Sequence, residues 1–156
     1  MFEIAHERDV YTIKLDATEL GRPLYQSLGF GDEQPVERWG YDAEGFVSTD
    51  KYRPGETAPV VEPGGYLLHR PGIRAHYLGP CIADCPQTAE QLFRRAIREI
   101  DADHYFWDLL PANTAAVNLA GELRFSPIRR LTRMVLGPNP SCDESRIYAI
   151  AGFEWG

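Results

Sequence analysis

Apolar positions change period along the chain. Val10-Tyr-Thr-Ile-Lys-Leu15 reads as a strand and ends at Asp16. Leu20, Leu24 and Leu28 then recur at helical spacing. Thr18 suits a helix cap, and Pro23 fits only near a helix start, where its missing N–H costs little. Gly29 is a left-handed stop, and Phe30 returns to the core. A related layout follows later. Phe106-Trp-Asp108 ends a strand, Asn113 opens a helix, and Ala116, Val117, Ala120 and Leu123 line one of its faces. Arg124-Phe125 stand where Gly29-Phe30 stood. This predicts two copies of a strand–helix–strand unit.

The strongest helical stripe lies between them: Ala89, Leu92, Phe93, Ala96, Ile97 and Ile100 at three- and four-residue spacing, opened by Asp84 or Cys85 and Pro86. Tyr66–Arg70 and Arg74–Leu78 flank the turn signal Pro71-Gly72 and predict an antiparallel hairpin. Val36–Trp39 is a short strand, and residues 40–63, broken by proline and glycine, read as an irregular joint. From residue 64 the predicted order is β-β-α-β-α-β-β, ending in a strand over Arg146–Phe153. That order predicts an α/β (α+β) fold, a mixed, mostly antiparallel sheet with helices on its faces. The expected organisation is a single domain, residues 1–156, built from a unit at 1–40, a linker at 41–63 and a region at 64–156.

Composition narrows the function classes. At 156 residues, with 44% hydrophobic and 25% charged positions, the chain has the profile of a soluble globular protein. A net charge of −7 argues against a nucleic-acid or anionic-membrane surface as the main partner. The start, MFEIAHERDV, lacks a basic, apolar leader, and three cysteines cannot all pair within one chain. Free thiols and a cytoplasmic location are expected.

Leu24-Tyr25-x-x-x-Gly29-Phe30 resembles the LY-x-x-x-GF signature near the end of GNAT N-acetyltransferase domains. LDAT-x-x-G-x-PLY-x-x-LGF is similar to the first half of tandem GNAT proteins. Arg70-Pro71-Gly72, Tyr77-Leu78-Gly79-Pro80, Asn113, Arg133-Met134 and Ile147-Tyr-Ala-Ile-Ala-Gly152 resemble the second domain of that subfamily. The resemblance covers roughly residues 9–40 and 64–156. It implies a GNAT-like fold, acetyl-coenzyme A as cofactor, and acetyl transfer to a small-molecule amine by direct attack. It also implies a shortened tandem protein that lacks the upstream half of its first domain.

Within that resemblance Tyr25 is the candidate catalytic acid, a phenol that protonates the departing thiolate. The residues alone allow simple packing beside Leu24. The second copy has Ala120 at the matching position. Asn113 is the candidate cofactor-binding residue, near the pantetheine arm; its other role is a plain N-cap. The pyrophosphate junction departs from the family pattern Gln/Arg-x-x-Gly-x-Gly/Ala. Here it reads Ile82-Ala-Asp-Cys-Pro-Gln-Thr88, with no glycine, one N–H removed by Pro86, and a carboxylate at Asp84. A second function class is therefore a catalytically inactive GNAT-fold module for ligand binding or oligomerisation. Asp16 and Asp108 end strands, where carboxylates orient an amine substrate, act as bases or, more often, cap loops. Cys81, Cys85 and His76 have poor spacing for zinc, so no metal is expected. Arg129 and Arg133 share one strand face, Arg130 takes the other, and solvated strand-edge charges are the expected role. The first unit leaves a sheet edge open, which predicts packing on the second region and a possible homodimer.

Overall fold

The structure, a computed structural model, describes residues 10–42, 58–100, 102–140 and 142–153. Its strands are β1 (Ile13–Ala17), β2 (Gly31–Asp42), β3 (Ala58–Glu62), β4 (Gly65–Pro71), β5 (His76–Ala83), β6 (His104–Leu109), β7 (Ser126–Leu136) and β8 (Ile147–Ala149). Among the described residues three α-helices intervene: α1 (Arg22–Ser27), α2 (Pro86–Glu99) and α3 (Thr114–Glu122). The strands form one mixed sheet in the order β1-β7-β2-β6-β5-β4-β3, with β8 paired to β5. The fold is the α+β arrangement expected from the hydrophobic pattern. Among the described residues no helix is long and apolar enough to cross a membrane.

The two strand–helix–strand units are interlocked. β1 and β2 belong to the first, β6 and β7 to the second. β7 pairs antiparallel to both β1 and β2, and β2 pairs antiparallel to both β7 and β6. Each unit's second strand therefore lies between the two strands of the other unit. The first unit does join the sheet of the second, but β1 neighbours β7, and it is β2 that lies beside His104–Leu109.

The turns out of α1 and α3 match in detail. Phe30 N donates to Tyr25 O and Phe125 N to Ala120 O, at 3.1 and 2.9 Å. One residue earlier, Gly29 and Arg124 both take left-handed φ, +92° and +66°. Ala120 is thus the spatial counterpart of Tyr25. Two bidentate ion pairs repeat the symmetry. Asp16 on β1 accepts from Arg133 Nε and Nη2 of β7 at 2.8 and 2.9 Å. Asp108 on β6 accepts from Arg38 Nε and Nη2 of β2, both at 2.7 Å. Each first-strand aspartate grips an arginine of the other unit, eight residues beyond that unit's phenylalanine.

The main core lies between the sheet and helices α2 and α3. Ala89, Leu92, Phe93 and Ala96 of α2 are buried with Ile97 partly so, as the stripe predicts. Phe93 stacks on Trp107 with ring centroids 3.6 Å apart. Charged positions of α2 face outward, where Glu90 and Arg94 pair across one turn.

Five expectations need correction. Leu20, Leu24 and Leu28 are not the buried face of α1; they are 95%, 61% and 47% exposed. Tyr25 faces inward instead, packing with Ala17, Phe30 and Met134. The helix begins at Arg22, and the Thr18 hydroxyl accepts from Gly21 N in the preceding turn. Strand structure enters the predicted irregular segment from both ends, as β2 and β3, because alternating side chains there find neighbours on β7, β6 and β4. The last strand is confined to Ile147–Ala149, preceded by a 3-10 turn at Glu144–Arg146. Finally, β7 is an interior strand, and Arg133 is ion-paired rather than a solvated edge charge.

Candidate functional site

β5 and β6 run parallel and pair only over His76–Leu78 against Tyr105–Trp107. Beyond that they separate. The bend falls at Gly79, whose φ of +148° and contact with the C-terminal segment both require glycine. A Cβ there would stand 2.3 Å from Ile150 O. The opened wedge is filled by β8. On one side it pairs with Cys81 and Ile82 of β5. On the other, Trp107 Nε1 donates to Tyr148 O at 2.7 Å and Ile150 N donates to Asp108 O at 2.8 Å.

The N-termini of α2 and α3 face a cleft of about 400 Å³ at the mouth of this wedge, lined in part by Asp84, Cys85, Asn113, Ser145 and Tyr148. Each polar group there has a definable state. Asn113, 6% exposed, accepts from Ala116 N through Oδ1, as an N-cap does. Its Nδ2 donates to Ser145 O and Ile147 O, both at 3.0 Å. The amide is therefore occupied by the chain's own C-terminal segment. Asp84 is ion-paired with Arg146 across the mouth. The Cys85 thiol lies 3.3 Å from Thr88 Oγ1. That contact, with the Thr88 and Gln87 amides of the first helical turn, pulls its pKa below the ordinary thiol value. Cys81, buried in the sheet, is pushed up to about 12 by desolvation. The ring of Tyr148 is buried, and desolvation raises its phenol pKa.

Coenzyme A requires an anion cradle at a junction such as β5–α2. The residues present do not fit that group. Pro86 has no N–H to give, and Asp84 places a carboxylate at the entrance. Cys85, whose sulfur is hydrogen-bonded within the first helical turn, occupies the position that the free helix donors face. No glycine between Ile82 and Thr88 lets backbone approach a phosphate.

Tyr25 lies elsewhere. It is half-buried on α1, edge-on to Phe30 with centroids 5.8 Å apart, and two strands, β7 and β2, separate β1 from β6. The structure therefore does not bring Tyr25 and Asn113 into one cluster. Asp16 and Asp108 are buried partners of arginines. Arg38 also lies against the rings of Tyr77, Phe106 and Phe153, at 4.6–5.0 Å. His76 Nε2 contacts His69 Nδ1 at 2.9 Å, and among the described residues no group of three or more His, Cys, Asp or Glu side chains could hold a metal.

Sequence reasoning missed two features here. The ion pairs were detectable: the interval Phe30–Arg38 equals the interval Phe125–Arg133. The insertion of the predicted last strand between β5 and β6 was not, because nothing in Ile147–Ala149 says which strand it pairs with.

The family model for the acetyltransferase (GNAT) domain matches residues 56–149, well over half of the chain. The chain belongs to the GNAT acetyltransferase family. A solved structure from Pyrococcus horikoshii, a "Putative Acetyltransferase", superimposes with a TM-score of 0.76 at 22% identity, which establishes likeness of fold. The match covers 97% of this chain and 62% of the archaeal one, so the present chain spans under two thirds of that relative's length. No curated protein matches.

Proposed function

We propose that this chain is a GNAT-fold module whose own β5–α2 junction does not carry acetyl-coenzyme A, and that its role there is binding or assembly rather than acetyl transfer. One observation carries the reading: the wedge is filled from within, and the polar groups at the helix N-termini that face its mouth are already engaged by the chain itself. β8 occupies the divergence of β5 and β6, Asn113 is committed to residues 145 and 147, and Cys85 with Asp84 stands where an anion would go. Calorimetry with acetyl-coenzyme A tests it. We expect no binding at micromolar concentration; micromolar affinity that survives Asn113→Ala but is lost on adding a bulky group at Cys85 would place the cofactor in the wedge and end the proposal.

A second reading attaches to the first unit, where Leu20, Leu24 and Leu28 point outward and β1 has no described neighbour on its outer edge. We infer that a second copy of the chain covers this flank about a twofold axis. In this second reading the assembly transfers acetyl to an amine with Tyr25 protonating the leaving thiolate, and the cofactor is held away from the β5–α2 junction. A monomer mass by light scattering at high micromolar concentration would rule the assembly out. In an active preparation, equal turnover by Tyr25→Phe and the parent protein would remove Tyr25 from the chemistry.

A further inference from the structure

At the other ends of α2 and α3 lies a second pocket of about 450 Å³, unrelated to the wedge. We propose that it binds a phosphorylated small molecule, with guanidinium groups on the phosphate and an apolar wall for the body that carries it. Arg94 and Arg98 stand one turn apart on the last turns of α2, and Arg124 comes from the turn after α3. Tyr41, Ile97 and Leu123 form the apolar wall. Glu122 is the one carboxylate of the lining, so three cations face one anion in a protein whose net charge is −7.

The three exposed arginines differ in state from Arg95, their neighbour. Arg95, on the same helix but outside the pocket, is tied to both Glu62 and Glu99. Arg98 and Arg124 have no carboxylate partner among the described residues, and Arg94 reaches only the exposed Glu90. Among the described residues two guanidinium forks are thus unengaged, and such forks match the multiply charged oxygens of a phosphate.

The backbone points the same way. Arg124 is the only described non-glycine residue with positive φ, at +66°. Its counterpart in the first unit is Gly29, at +92°. Glycine holds this turn position without steric cost, whereas a side chain is strained there. The second unit keeps an arginine in the strained position, and that side chain is the one delivered to the pocket. Strain retained at a conformational outlier is a mark of function. Capping of the α3 carbonyls is the alternative use of such an arginine, and the experiment below separates the two.

The test titrates the whole chain with inorganic phosphate and with phenyl phosphate, followed by calorimetry and by amide chemical shifts. Phenyl phosphate is expected to bind more tightly than inorganic phosphate, because only it uses the Tyr41–Ile97–Leu123 wall. Arg124→Gly is expected to weaken binding at least tenfold while the thermal midpoint stays level or rises, since glycine suits the φ. Arg98→Gln is expected to weaken binding similarly, and Arg95→Gln to leave it unchanged. Failure of either probe to saturate at millimolar concentration overturns the proposal. So does Arg124→Gly binding like the parent chain, which would leave Arg124 a helix-capping residue. Equal affinity for the two probes would overturn the assignment of the apolar wall.

Discussion

The two strand–helix–strand units share a plan and differ in what surrounds them. β6–α3–β7 has β5 against its first strand and α2 beside its helix, and its helix buries Ala116, Leu119 and Ala120. β1–α1–β2 has no described strand beyond β1, and its six-residue helix buries no residue fully. Side chains follow from surroundings. Where the second unit needs a small residue it has Ala120; where the first has space it has Tyr25. The difference teaches that a repeated backbone motif is held by its turn and its ion pair, while its helix face is free to diverge with its neighbours.

The sharpest way to break the symmetry is through the ion pairs. Asp108→Ala would take the bidentate carboxylate away from Arg38, which is 7% exposed, and should cost about 3–5 kcal/mol. Asp16→Ala should cost less, because Arg133 at 14% side-chain exposure can recruit water more easily. Urea midpoints would order the two. Replacing Arg38 and Asp108 together by apolar residues of similar volume should recover much of the loss, and an unrecovered double variant would show that the pair does more than satisfy its own charges.

Acid acts on the neighbour that only the second unit possesses. His76 on β5 has its pKa lowered to about 4, by desolvation first and then by His69 and Arg70. An unfolded histidine titrates near 6.5. Between those values the unfolded chain holds a proton that the folded chain refuses, so stability is full above about pH 6.5 and falls as pH drops toward 4. Solvent reaches the half-buried ring, so we expect a loss of about 1–2 kcal/mol. His76→Gln should flatten this part of the stability profile; an unchanged slope would assign it to other groups.

The matched turns allow a reciprocal pair. Gly29→Ala forces a side chain into φ +92° and should destabilise by about 1–2 kcal/mol. Arg124→Gly relieves φ +66° and should stabilise by about 0.5–1 kcal/mol. Thermal melts of both variants check the sign. The smallest effect is expected on α1: Leu24→Glu should fall within about 0.5 kcal/mol of the parent in the monomer, as for any exposed position. A large loss would mean that something covers the leucines in solution.

The sheet was legible in the sequence where residues alternate against long partners, and α2 was legible because a fourteen-residue helix repeats its stripe often enough to fix its phase. α1 was not, because three leucines at four-residue spacing look buried in any helix, and nothing local says that no described element covers that face. The candidate site divided in the same manner. The unsuitability of residues 82–88 for phosphate could be argued from Pro86 and Asp84 alone. The role of Asn113 could not, since the carbonyls it holds lie about thirty residues away.

The position of β2 has a consequence for how the protein is made. Gly31 pairs with Val135 and Gly40 with Ser126, so the central seam of the sheet joins segments about a hundred residues apart. Until that seam closes, β6 and β7 flank a gap and neither unit has a complete sheet. Folding must therefore wait on contacts of high sequence separation, which slows it. A chain severed between Asp42 and Ala58 should yield two pieces, neither of which is folded by itself, that regain the native sheet when mixed.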